Sequence, residues 1–274
     1  MIELLHGAPQ RHPLMLMLLM GIAFAEIAWL AWRRRGGYSW LDSGTSMAIA
    51  VGNLLIRPLN LLLLAPLFAW VYAHRLFDPQ LQGPWAFLGV VLLVDFIYYV
   101  FHRSSHMLRW MWATHGVHHS STELNLSAAY RLGWTELLSG TWLFLLLPVG
   151  FGISPTWVTA AFALNLLYQF VLHSRLVGRL GPLEWVFNTP THHRVHHAMN
   201  EELLDRNFGG ILIVWDRLFG TFAAAPDESA LRYGIAGRAP RYNPFAVAFG
   251  EWRAMFAELR DAQGLKARLR VLTG

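Results

Sequence analysis

The 274-residue chain is 55% hydrophobic and 14% charged, with thirteen tryptophans and a positive mean hydropathy, a profile that excludes an ordinary soluble domain and fits a polytopic membrane protein. It contains no cysteine, so disulfides, iron–sulfur clusters, zinc ribbons and thiolate nucleophiles are excluded. The net charge of +5 comes from arginine, with Lys266 the one lysine; these residues cap apolar segments or scatter along the C-terminal third, so no nucleic-acid partner is expected.

Residues 14–32 are long enough to cross a bilayer, and Arg33, Arg34 and Arg35 follow as a cytoplasmic stop. The charges come after the apolar run and no A-x-A site follows, so a cleaved signal peptide is not expected. A second apolar stretch, 45–73, is interrupted by Arg57-Pro58, which reads as a re-entrant break or a helix kink. A third, 85–101, ends at His102-Arg103. A fourth and a fifth, 134–152 and 155–173, meet at Ser154-Pro155 as a tight hairpin. With the arginine triplet inside, 19 of the 22 Arg and Lys residues fall inside, Arg11 and Arg75 fall outside and Arg57 lies within a span, as the positive-inside rule requires. Trp29, Trp32, Trp40, Trp70 and Trp85 suit an interfacial belt. The expected fold is all-α: one domain over 1–274, about 4–5 transmembrane helices, and a cytosolic helical cap from residue 174 onward. The bias toward Arg and Ala points to a bacterial inner membrane.

Ten of the thirteen histidines lie between His102 and His197, all on the side that the charges make cytosolic. His6, His12 and His74 read as ordinary interfacial residues. Three groups stand out: His102-x3-His106, His115-x2-His118-His119 and His193-x2-His196-His197, with His173 and His192 near them. Residues four apart share a helix face, so His102/His106, His115/His119 and His192/His196 can each chelate. Adjacent His118 and His119 diverge by about 100° on a helix, and one can reach each of two neighbouring ions. Neutral imidazole is the commonest transition-metal ligand, and this many exceeds the need of one ion, so the pattern predicts a two-metal site.

The stretches DFIYYVFHRSSH (95–106), HGVHHSSTELNLSAAYR (115–131), NTPTHHRVHH (188–197), DRNFGG (205–210) and WDRLFGTF (215–222) resemble the sterol desaturase and fatty-acid hydroxylase superfamily of integral-membrane di-iron oxygenases, over a catalytic core at 90–222. Within it, the likeness is to the alkylglycerol monooxygenase branch. The resemblance implies that His102, His106, His115, His118, His119, His193, His196 and His197 bind two ferrous ions, with His173 and His192 as extra ligands or supporting groups. It also implies dioxygen as co-substrate and a lipid drawn from the bilayer: a sterol, a fatty acyl chain or an alkyl ether lipid. Hydroxylation and desaturation share one such metal core. Electrons would come from a separate donor protein or a reduced pterin, since no haem domain is expected in a chain of this length.

Asp95, an acid near the end of an apolar span, reads as a group that orients an imidazole. Asn125, Asn188 and Asn207 are candidates to hydrogen-bond a ligand N–H or a metal-bound water, with helix capping as the alternative. Arg131 reads as a headgroup ligand, a carboxylate partner or an interfacial anchor, and Asp205 and Asp216 as partners of Arg206, Arg217 or Arg194. Two other functions compete. A di-zinc hydrolase would want carboxylate bridges, and the groups hold only histidine. A metal transporter would want ionisable ligands in mid-membrane, where Asp95, Glu26 and Glu136 are the few acids in or beside spans.

Overall fold

A computed structural model describes residues 13–34 and 38–274. His6, Arg11, His12 and Arg35 lie outside the described residues. The described chain is helical, and its only extended pairings are the isolated bridges Phe187–Leu212 and Ala198–Tyr233. Its α-helices are α1 (Pro13–Arg34), α2 (Trp40–Ala73), α3 (Gly83–Met107), α4 (Arg109–His119), α5 (Glu136–Ser139), α6 (Thr141–Gly150), α7 (Pro155–Leu172), α8 (Pro190–His196), α9 (Val214–Leu218), α10 (Pro244–Asp261) and α11 (Leu265–Thr273).

Local chemistry sets the starts of these helices. The Ser154 hydroxyl accepts from the Trp157 amide, with Pro155 in the first turn of α7. The Asn243 side chain accepts from the Phe245 and Ala246 amides at the head of α10. Among the described residues α2, α3 and α7 are long and apolar enough to cross a membrane. α1 covers the expected first span. α2 runs as helix through Arg57-Pro58 and Pro66, so of the two readings of Arg57-Pro58 the re-entrant break does not occur. A buried cluster of Phe68, Val90, Val91, Val94, Val149, Val158 and Ala161 joins α2, α3, α6 and α7, while Leu54, Leu55, Leu62 and Leu63 stay exposed on α2 for lipid.

The expected span 134–152 is broken. α5 ends at Gly140, whose φ of 75° is left-handed, and a Cβ there would stand 2.8 Å from the Trp110 ring. The remaining α6, 10 residues long, reaches only about 15 Å, half a hydrocarbon core. A second break, at the extended Leu108, separates α3 from α4 and lets α4 turn back to pack on α3. That turn brings the first two histidine groups face to face.

At 34 residues and about 51 Å, α2 outreaches the bilayer core, and its first turns bury Asp42, Ser43, Thr45 and Ser46 instead of leucine. Asp42 accepts from Ser121 Oγ, the Thr122 amide and Arg131 Nη2 (2.5, 3.0 and 3.1 Å), with both charged side chains fully buried. Of the three readings of Arg131, the structure selects the carboxylate partner. Its Nη1 also donates to Ser120 Oγ, one residue past His119. The pair therefore ties the chain that follows the second histidine group to α2. Removing one partner strands a buried charge: Arg131→Ala is expected to lose about 3–5 kcal/mol. An Asp42→Leu/Arg131→Met double variant should lose clearly less than the two single variants together. Thermal unfolding in a neutral detergent checks both.

Candidate metal centre

Nine histidines converge in two groups. His102, His106, His115, His119 and His196 form one, and His118, His173, His193 and His197 the other; within each group the ligand nitrogens all lie within 4.8 Å of one another. α3 supplies His102 and His106, α4 supplies His115, His118 and His119, α7 ends at His173, and α8 with its C-cap supplies the rest. The adjacent pairs split as the helical angle requires: His118 and His119 go to different groups, and so do His196 and His197. His173 joins the second group. His192 joins neither; its ring faces Phe222 at 5.4 Å.

The tautomers are set from outside the groups. The Nδ1 atoms of His102, His196 and His173 lie 2.8–2.9 Å from the carbonyls of Phe208, Arg206 and Gln169, acceptors that fix the proton on Nδ1. Each Nε2 then carries its lone pair inward. Nearest Nε2–Nε2 separations are 3.1 Å for His102–His115, His173–His193 and His193–His197, and 3.2 Å for His115–His119 and His118–His173. The buried Nε2 atoms of His106 and His196 have no hydrogen-bond partner at all. Burial, followed by the charge of neighbouring imidazoles, pushes His118 down to about 3, and burial pushes His196 to about 3 and His173 to about 4. His119, His193 and His197 are held well below the usual histidine range for the same reasons. Neutral donors with inward lone pairs and no partner are what a transition metal takes.

The donor set fits two ions. Two nitrogens 3.1–3.2 Å apart, each about 2.1 Å from one ion, subtend roughly 95–100°. A tetrahedral pair would stand about 3.4 Å apart. Neither group contains a carboxylate or a sulfur. The arrangement suits imidazole-rich sites of five or six positions better than a closed tetrahedral one.

The supporting residues are not those expected. Asp95 touches no imidazole; it accepts from the Ile211 and Leu212 amides, Trp215 Nε1 and Asn165 Nδ2. Asn188 Nδ2 donates to the Gly209 carbonyl, and Asn207 Nδ2 to those of His192 and Ala223. Asn125 bonds to Tyr38 and the Ser127 amide. Asp216 accepts from the Phe208 and Gly209 amides and from Thr221. All but Asn125 hold the loop 205–212, whose carbonyls in turn hold His102 and His196. The loop needs its own residues: Asp205 and Asn207 take left-handed φ values of 57° and 58°, which short polar side chains tolerate. A Cβ at Gly210 would stand 2.5–2.8 Å from the Asn165 amide and the Asp95 carboxylate. The carboxylate that does touch a ligand is Asp205, 3.2 Å from His106 Nδ1, a contact between distant segments that no local spacing announces.

The fatty acid hydroxylase family model matches residues 87–221. An alkylglycerol monooxygenase of Xenopus tropicalis is 42% identical over 174 residues, 64% of this chain and 38% of that protein. One of Danio rerio is 36% identical over 261 residues, 92% of this chain and 56% of that protein. An ornithine lipid hydroxylase of Rhizobium tropici is 28% identical over 225 residues, 76% of this chain and 64% of that protein. The chain thus spans 38–56% of the length of these two alkylglycerol monooxygenases. No solved structure matches the chain.

Two outcomes are expected. His173→Ala loses bound metal, whereas His192→Ala keeps it, as read by plasma mass spectrometry of the purified protein. The metal-free protein also loses stability in acid. The folded pKa values lie below the unfolded value, so the unfolded chain takes up protons first. Stability is full above about pH 6.5 and falls as the pH drops below it, because each buried imidazole resists the proton that the unfolded chain takes up. Unfolding temperatures at pH 7.5 and 5.5 measure it.

Proposed function

Through residues 87–221 the chain belongs to the fatty acid hydroxylase family, and from that premise we propose that it is a membrane-bound, dioxygen-dependent di-iron oxidoreductase that hydroxylates an alkyl chain of a lipid. The observation that carries the reading is the pair of buried all-histidine groups. When bound, the ions would activate dioxygen, the oxidant, toward an unactivated C–H bond, chemistry that side chains lack.

The chain's residues do the rest. His102, His106, His115, His119 and His196 hold one ion, and His118, His173, His193 and His197 the other. The carbonyls of Phe208, Arg206 and Gln169 keep three of these rings in the ligating tautomer. Asp95, Asn188 and Asn207 are positioning residues that act through the 205–212 loop. The apolar helices exclude water and offer the lipid an approach from the bilayer, with its reactive carbon near the cytosolic ends of α3 and α7. The electron donor is a separate protein or a reduced pterin, and the membrane is a bacterial inner membrane. The rival functions gain little support: Asp95 and Glu26 are engaged by backbone amides, among other donors, and the histidine groups contain no carboxylate.

Detergent-purified protein is expected to hold about two irons per chain and to consume dioxygen when given a reductant and an alkyl lipid, yielding a hydroxylated product by mass spectrometry. Chelation abolishes this, and a His118→Ala/His196→Ala double variant holds no iron pair. Two zincs after growth in iron-rich medium, or turnover that survives chelation, would overturn the reading.

A further inference from the structure

Outside the histidine groups, one cavity gathers positive charge. It has a volume of about 150 Å³ and is lined by the 3-10 turn Gly181–Trp185, the head of α8, Arg217 of α9 and Phe222. His192, the histidine that the metal groups leave out, lines it; the residue is 3% exposed and its Nδ1 has no hydrogen-bond partner. Arg217 lines it too. Its guanidinium lies 3.9 Å from the Phe222 ring centroid and 4.8 Å from that of Trp185, its Nη2 donates to the Glu184 carbonyl, and its buried Nε has no partner. Arg179 adds a second guanidinium, bonded to the Ala225 carbonyl. Glu184 is the single carboxylate in the lining, and its Oε1 already accepts from the Leu180 amide and Thr189 Oγ1.

The buried Arg217 Nε, left without a partner beside a second arginine, asks for an acceptor. An arginine clamped between rings presents a preset fork, the geometry that suits a phosphate oxygen pair. The position of the cavity narrows the source. On α9 and just past it, Trp215 and Phe219 pack on Phe96, and Phe219 also stacks on Tyr99; both partners belong to the membrane-spanning α3. Leu183, Trp185 and Leu218, around the cavity, are exposed. An exposed tryptophan and leucines at the end of a span mark the headgroup level of a bilayer.

We propose that this cavity binds the phosphate group of a membrane lipid, with Arg217 and Arg179 as its donors. The site is separate from the metal ligands, although His192 adjoins His193, and it stands whether or not the chain is an oxygenase.

The test uses the full chain in neutral detergent and three probes: dioctanoyl phosphatidate, dioctanoylglycerol and inorganic phosphate. Phosphatidate is expected to bind at least about tenfold more tightly than the uncharged glyceride and to raise the unfolding temperature. Arg217→Gln should reduce that preference about tenfold. Arg179→Gln, at an exposed position, should weaken it in the same direction, and both variants should keep the metal content of the parent. Equal binding of phosphatidate and glyceride, or no effect of either arginine, overturns the site. Inorganic phosphate that binds as tightly as phosphatidate overturns the lipid as the source. Loss of oxygenase activity with phosphatidate binding intact would count against the metal reading alone.

Discussion

Nine neutral imidazoles with their lone pairs turned inward are a poor way to fill a protein interior unless something holds the outer nitrogens. That constraint shapes the part of this molecule around the histidine groups. The Nδ1 protons of His102 and His196 need carbonyls at fixed points, and the loop 205–212 provides them. A loop without regular structure has its own amides to satisfy. Asp216 takes those of Phe208 and Gly209, and Asp95 those of Ile211 and Leu212. Two carboxylates thus act on the metal groups through one intervening peptide segment. Their burial is tolerable because each accepts at least three hydrogen bonds.

The same logic runs on the other side of the histidines. The polar first turns of α2 stand where a shorter span would have ended, and Asp42 there meets Arg131 and the Ser121–Thr122 turn just past His119. Glu26 of α1 accepts from the Leu126 and Arg175 amides and from Ser174, gripping both the segment after α4 and the one after His173. Apolar helices and polar loops are joined by buried carboxylates that accept backbone amides, a bond strengthened by the low dielectric of the interior.

What the sequence made legible follows from periodicity. The i,i+4 histidine pairs, and the split of His118 from His119, need only the 3.6-residue turn, and the structure brings those residues together in that pattern. Spacing misled at His192, which is four residues from His196 but whose ring turns to Phe222 and the cavity beside Arg217. The roles of Asp95, Asn188 and Asn207 were hidden because their partners are loop amides and carbonyls distant in sequence, and no local pattern encodes them. The span at 134–152 was overread because hydropathy ignores Gly140, a single left-handed residue that ends one helix and starts another.

The distribution of the ligands couples the metal centre to folding. Each group draws on at least three segments: α3, α4 and α8 for one, and α4, the end of α7 and α8 for the other. The first spans from His102 to His196 in sequence, so closing it links the membrane helices to the polar C-terminal part. Ions that bind this arrangement and not the unfolded chain stabilise it in proportion to the logarithm of their excess over Kd. Without them, burial alone must keep the imidazoles neutral, against the tendency of each to take a proton in the unfolded chain. The fold therefore invests its carbonyl and carboxylate scaffold in preparing a site whose occupant returns that stability.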